Sequence, residues 1–112
     1  MTGADPVQMI QYFGSRKKLF KIHFRNVSAP LPHFTETMID DGYYDMSKIM
    51  KALVAVKFEG IMIPDHVPGL GVNPAVAPAA RAPGEAFRPS PALAYLLGCM
   101  NAMLVSAQGM KG

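Results

Sequence analysis

The chain has 112 residues, half of them hydrophobic, with a formal net charge of +3 and a single cysteine. That length suits one globular unit, and a lone cysteine excludes an internal disulfide framework and fits a reducing compartment. The Lys and Arg residues are scattered apart from Arg16-Lys17-Lys18, which reads as a solvated helix-to-strand turn. A nucleic-acid site would need a broader basic face with interleaved aromatics.

The start, MTGADPVQMI, has no basic n-region and no apolar h-region, so no signal peptide is expected and a cytoplasmic location is. Asp5-Pro6 forms an N-cap and first-turn pair, and Val7, Ile10 and Phe13 follow at near-helical spacing up to Gly14, which predicts a helix over 5–13. KLFKIHF (18–24) is short, apolar and rich in β-formers, broken only by Lys21, and reads as a strand. Residues 26–44 hold two prolines and DDGYY and are expected to be a loop.

Asp45 can cap a second helix in which Ile49, Met50, Leu53 and Val54 make an apolar stripe, with Lys48, Lys51 and Lys57 off it. Gly60 closes that segment, and IMI (61–63) is expected to be a fully buried strand. Residues 67–89 are dominated by Pro, Ala and Gly, and so long a loop is functional or disordered. Ser90-Pro91 restarts a helix that should run to about Ala107. Its stretch ALAYLLGCMNAMLVSA (92–107) is uncharged but has Asn101 in its middle, and it falls short of the roughly 20 residues of a membrane span. A buried or docking helix is expected, with no membrane partner.

The expected order is α-β-α-β-α. Two nearly continuous apolar strands with a helix between them indicate a parallel pair joined by a crossover. This pattern fits a barrel and an open sheet alike, and two strands complete neither.

Active residues of βα architectures cluster at the carboxyl ends of strands, where this sequence puts His23 and Arg25, then Asp65 and His66. His23 and Arg25 are two apart and share a strand face. An imidazole can ligate a divalent metal, and a guanidinium can grip a carboxylate with two parallel hydrogen bonds. Asp65 and His66 are adjacent, so a regular strand would part them. Pro64 and the turn after it end the strand and let both reach the rim. A carboxylate ligand beside a proton-moving histidine suits metal-assisted acid–base chemistry. The plainer reading is a hydrogen-bonded structural histidine and an ordinary Asp-His loop.

Three blocks, YFGSRKKLFKIHFRNV (12–27), FTETMIDDGYYDMSKIMKAL (34–53) and FEGIMIPDHVP (58–68), closely resemble the C-terminal part of the mannonate dehydratase family. Its members are metal-dependent sugar-acid dehydratases with a TIM-like barrel akin to xylose isomerase. The likeness is dense over 5–68, weak over 69–89, and returns faintly in the helix at 90–108. It implies that residues 1–112 form part of a TIM (β/α)8 barrel, roughly its last two βα units and the helix before them. A whole barrel needs at least about 200 residues.

The resemblance further implies that His23 and Asp65 are ligands of a Mn2+ or Fe2+ ion, and that His66 is the catalytic acid–base residue. Arg25, on the geometric argument above, orients the substrate carboxylate. The implied reaction removes water from D-mannonate to give 2-keto-3-deoxy-D-gluconate, a step of hexuronate catabolism. Glu36 and Asp41 lie in a matched loop, where they either support the site or cap and solvate the loop. His33 is expected at the surface.

The family draws a further histidine and cysteine ligand from earlier strands, and this sequence has no counterpart of those strands. Cys99 lies within the last helix and cannot substitute. The segment 69–89 departs from the family where it carries a catalytic tyrosine; Glu85 and Phe87 lie nearby, the role is assigned to no residue, and Tyr95 is expected to be a packing residue. Other readings are a related sugar isomerase or epimerase and a non-catalytic oligomerising fragment. Self-association, or completion by the missing barrel portion, is expected.

Overall fold

The computed structural model describes residues 3–68, 83–84 and 90–109. Asp5 opens the chain's first helix, α1 (Pro6–Ser15), by accepting a hydrogen bond from the Val7 N–H at 2.9 Å, with Pro6 at the first helical position. Asp45 opens α2 (Met46–Ala55) in the same way through the Lys48 N–H at 3.0 Å. Both helices extend or match the predicted segments.

The two helices also stop alike. Lys17 and Lys57 take positive φ angles of 56° and 54°. The next N–H groups, of Lys18 and Phe58, reach back to Phe13 and Leu53 carbonyls at 2.9 and 3.0 Å. This is the left-handed helix stop in which a reversed residue satisfies the last carbonyls. It explains why the basic run 16–18 is a turn.

Strand β1 (Lys21–Phe24) follows α1, two short strands β2 (Asn26–Val27) and β3 (Glu36–Thr37) precede α2, and β4 (Ile61–Pro64) follows it. β1 and β4 pair in parallel, with Lys21 opposite Ile61, His23 opposite Ile63 and Phe24 opposite Pro64. α2 is the crossover between them, as the α-β-α-β order predicts. The last helix, α3 (Pro91–Gly109), begins where the Ser90 hydroxyl accepts from the Leu93 N–H at 3.2 Å. By length and composition α3 could cross a membrane; here it packs on α2 and β4.

The core lies on one side of the β1–β4 pair. Phe24 is buried there with Ile10, Ile49, Met50, Leu53, Leu96 and Met100, and Ile22 and Met62 pack against this cluster. The two strands therefore send alternate residues into the helices, as period-two geometry demands.

That alternation corrects the expectation for IMI. Ile61 is 64% exposed, and Met62 and Ile63 are only half-buried. A strand reads as a continuous apolar run when both sheet faces are covered, and among the described residues helices cover only one. The expected loop at 26–44 is also corrected: β2 and β3 form an antiparallel pair, Asn26 opposite Thr37 and Val27 opposite Glu36. Strands of two residues carry no readable alternation. Apart from residues 83–84, the Pro/Ala/Gly-rich segment 69–89 lies outside the described residues.

One buried side chain organises the excursion between β1 and α2. The Asn26 amide donates to the Ile39 carbonyl at 3.1 Å and the Tyr44 carbonyl at 2.9 Å. Its oxygen accepts from the N–H groups of Val27 at 3.0 Å and Tyr44 at 3.1 Å. Gly42 passes so close that a Cβ there would run into the Asn26 carboxamide, which is why DDGYY needs a glycine. Asn26→Ala should cost roughly 2–4 kcal/mol, since it strands buried carbonyls. Asn26→Asp, equal in shape, should be at least as damaging because it offers those carbonyls no donor. Urea unfolding of the two variants checks both; a benign Asn26→Asp would refute the assignment.

Candidate functional site

Asp65 is placed by backbone geometry. Its N–H donates to the Phe24 carbonyl at 3.2 Å, which carries the parallel ladder one residue beyond β4. The side chain is thereby held beside the end of β1, the only strand to which β4 is bonded among the described residues.

The four residues that the sequence puts at the strand ends, His23, Arg25, Asp65 and His66, meet there. Asp65 Oδ2 lies 3.6 Å from His23 Nδ1 and 3.7 Å from Arg25 Nη1, while Oδ1 lies 3.6 Å from His66 Nε2. His23 and His66 thus approach different oxygens of one carboxylate, and the adjacency of Asp65 and His66 does not separate them. The Asp65 and Arg25 side chains are 24% exposed, against 54% for His23 and 65% for His66. A half-buried ionic centre carries two accessible imidazoles.

Glu36 joins this cluster from β3. Its Oε1 lies 3.3 Å from Arg25 Nη2, and the guanidinium also faces the Phe34 ring at 5.6 Å. Arg25 Nε, Glu36 Oε2 and Thr37 Oγ1 are buried without hydrogen-bond partners. Asp41 is not brought in: it is exposed, and its N–H closes a turn on the Met38 carbonyl at 3.2 Å. His33 is exposed, as expected. Cys99 is half-buried within α3, and Glu85 and Phe87 lie outside the described residues.

The expectation for Tyr95 is corrected. The residue is exposed, and its hydroxyl donates to Asp40 Oδ2 at 2.6 Å, tying α3 to the segment before α2. Asn26 is the residue that sequence reading missed, since nothing marks a polar residue after HFR as buried.

An apolar cleft of about 270 Å³ between α1 and β1 is lined by Ile10, Phe13, Ile22 and Tyr44, with His23 and Arg25 among its other walls. Its lining suits hydrocarbon. The polar chemistry lies in the carboxylate cluster.

Among the described residues, no group of three or more His, Cys, Asp or Glu side chains is arranged to hold a metal ion. His23 and Asp65 are nonetheless close enough to share one cation, and an imidazole nitrogen with a carboxylate oxygen is a donor pair suited to Mn2+ or Fe2+. The pair fits such an ion as part of a ligand set.

The sequence profile of the D-mannonate dehydratase (UxuA) family matches residues 2–108. The chain belongs to that family. A mannonate dehydratase from Enterococcus faecalis (strain ATCC 700802 / V583) is 42% identical over 71 residues, covering 57% of this chain. The solved mannonate dehydratase of Streptococcus suis serotype 2 superposes with a TM-score of 0.72 at 26% identity over 96% of the chain. The mixed α/β fold of the described residues, three helices with small sheets, therefore matches part of that dehydratase structure. The chain spans 19% of the E. faecalis relative and 29% of the S. suis structure.

The Tyr95–Asp40 contact has a pH signature. The hydrogen bond to the Asp40 carboxylate, with a smaller contribution from Cys99, pushes the Tyr95 phenol above its ordinary value of 10.0. A raised folded-state value means that stability from this bond is complete below pH 10 and is lost as pH rises from there through the folded value. Between pH 9 and 11, wild-type stability should fall more steeply than that of Tyr95→Phe. Thermal melts of the two proteins across that range check this; parallel curves would contradict it.

Proposed function

We propose that this chain contributes the carboxyl-terminal part of a D-mannonate dehydratase active site. The observation that carries the reading is the convergence of His23, Arg25 and His66 on Asp65 at the carboxyl ends of two parallel strands. Family membership gives that convergence its chemistry.

In this reading the β1–β4 pair is a segment of a TIM-like barrel. The open sheet face bearing Lys21, His23 and Ile61 would look into the barrel, and further strands would continue both edges. His23 and Asp65 would hold a Mn2+ or Fe2+ ion, with the remaining ligands supplied by the rest of the barrel. When bound, the ion acts as a Lewis acid, stabilising negative charge on the substrate oxygens.

The residues of this chain do the rest. D-mannonate loses the proton α to its carboxylate and the hydroxyl of the neighbouring carbon, which leave together as water. The enol product rearranges to the 2-keto-3-deoxy acid. Removing that proton builds charge on the carboxylate, and Arg25 meets it with a fixed guanidinium. His66, more exposed than Asp65 and adjoining it, moves a proton at the reacting carbon or at the departing hydroxyl. Asp65 presents one oxygen toward each imidazole.

The test is dehydration of D-mannonate by this chain joined to the barrel portion of a relative such as the E. faecalis enzyme. The hybrid should form the 2-keto-3-deoxy acid, and His66→Asn should slow it by about 10²–10⁴-fold while leaving metal content unchanged. A well-folded, metal-loaded hybrid that is inactive, or one indifferent to His66→Asn, would overturn the assignment.

A further inference from the structure

Arg25 sits between two carboxylates, and its contacts with them are unequal. Nη2 approaches Glu36 Oε1 at 3.3 Å, whereas Nη1 approaches Asp65 Oδ2 at 3.7 Å. In the closer pair, Arg25 Nε and Glu36 Oε2 are each buried without a hydrogen-bond partner. A guanidinium offers its Nε and Nη2 edge as a fork to a carboxylate. Arg25 and Glu36 thus present matching halves of a side-on pair, one oxygen already in ion-pair range. The Nη1 corner is left toward Asp65.

The same Asp65 oxygen also faces His23 at 3.6 Å. Any cation shared by His23 and Asp65 must compete with Arg25 for Oδ2. An unrestrained guanidinium would turn its fork onto Asp65 and take both oxygens, the one facing His23 and the one facing His66.

We propose that Glu36 is a positioning residue: it draws Arg25 toward β3 and so keeps the Asp65 carboxylate available to His23, His66 and a shared divalent cation. Glu36 touches none of the reacting groups and acts only through Arg25. The β2–β3 pair gives it the fixed position this requires, because Asn26, next to Arg25, is locked by its buried hydrogen bonds. The part of the inference that concerns the cation rests on the reading of His23 and Asp65 as its ligands; the part that concerns Arg25 does not.

The test has two arms on the isolated chain, with wild type, Glu36→Gln and the double variant Arg25→Met/Glu36→Gln. In the metal-free proteins, NMR follows the Asp65 side-chain carboxyl carbon and the Arg25 Nε–H. Glu36→Gln should shift the Asp65 signal as the guanidinium moves onto it, with the amide signals of Asn26 and Val27 reporting an intact fold. An unmoved Asp65 signal would overturn the proposal.

In the second arm, calorimetric titration with Mn2+ should show affinity falling roughly ten- to a hundredfold in Glu36→Gln, the range for residues that support metal ligands. The double variant should recover most of that loss, which a merely structural role for Glu36 would not allow. Equal loss in both variants would overturn the proposal. If wild type binds no Mn2+, the two ligands alone do not hold the ion, and the NMR arm alone decides the role of Glu36.

Discussion

The Asn26 carboxamide fixes the geometry at the carboxyl end of β1. Two carbonyls and two N–H groups, drawn from Val27, Ile39 and Tyr44, close on its buried side chain. The chain therefore leaves β1, makes a hairpin and returns to the start of α2 with both ends pinned at one point. Arg25 precedes this pin, and Glu36 pairs across from Val27 immediately after it. Buried polar groups that satisfy one another specify one arrangement, because any alternative leaves them unpaired in a low-dielectric interior. A hydrophobic residue at 26 could fill the space but could not define where Glu36 stands.

What this pin organises is a balance of charge. One guanidinium, two carboxylates and two imidazoles share a patch where the inner members are half-buried and the outer ones open to solvent. Full solvation would make the attractions small. Deep burial would make the cost of charging large. The half-buried position holds Asp65 in place while leaving His23 and His66 accessible. The hydrophobic work is done on the opposite face, where Phe24 and Met62 join the helices.

The helices were legible in the sequence because their signals are local. Asp5-Pro6, Asp45 and Ser90-Pro91 mark starts through side-chain chemistry that needs no tertiary partner. The clustering of His23, Arg25, Asp65 and His66 was legible for a related reason: strand ends are recognisable, and all four sit at or next to them. The misreadings concern what lies far away along the chain. IMI looks like a doubly covered strand, yet helices cover only one of its faces among the described residues, and Ile61 stands exposed. Tyr95 sits within an apolar helix and reads as packing, while its hydroxyl reaches a carboxylate 55 positions earlier. Asn26 acquires its buried role from a hairpin whose strands are too short to leave a pattern. These are tertiary facts that local propensity does not encode.

The central claim is that the ends of β1 and β4 form one half of a metal-assisted active site. Mn2+ titration of the isolated chain by calorimetry, beside His23→Ala and Asp65→Ala, addresses it most directly. Saturable binding that is abolished by either substitution is the predicted result, since each would remove one of the two proposed ligands at the ends of the paired strands. Binding that survives both substitutions would contradict the account; no binding in any of the three proteins would mean that the half-site needs the rest of the barrel to hold the ion.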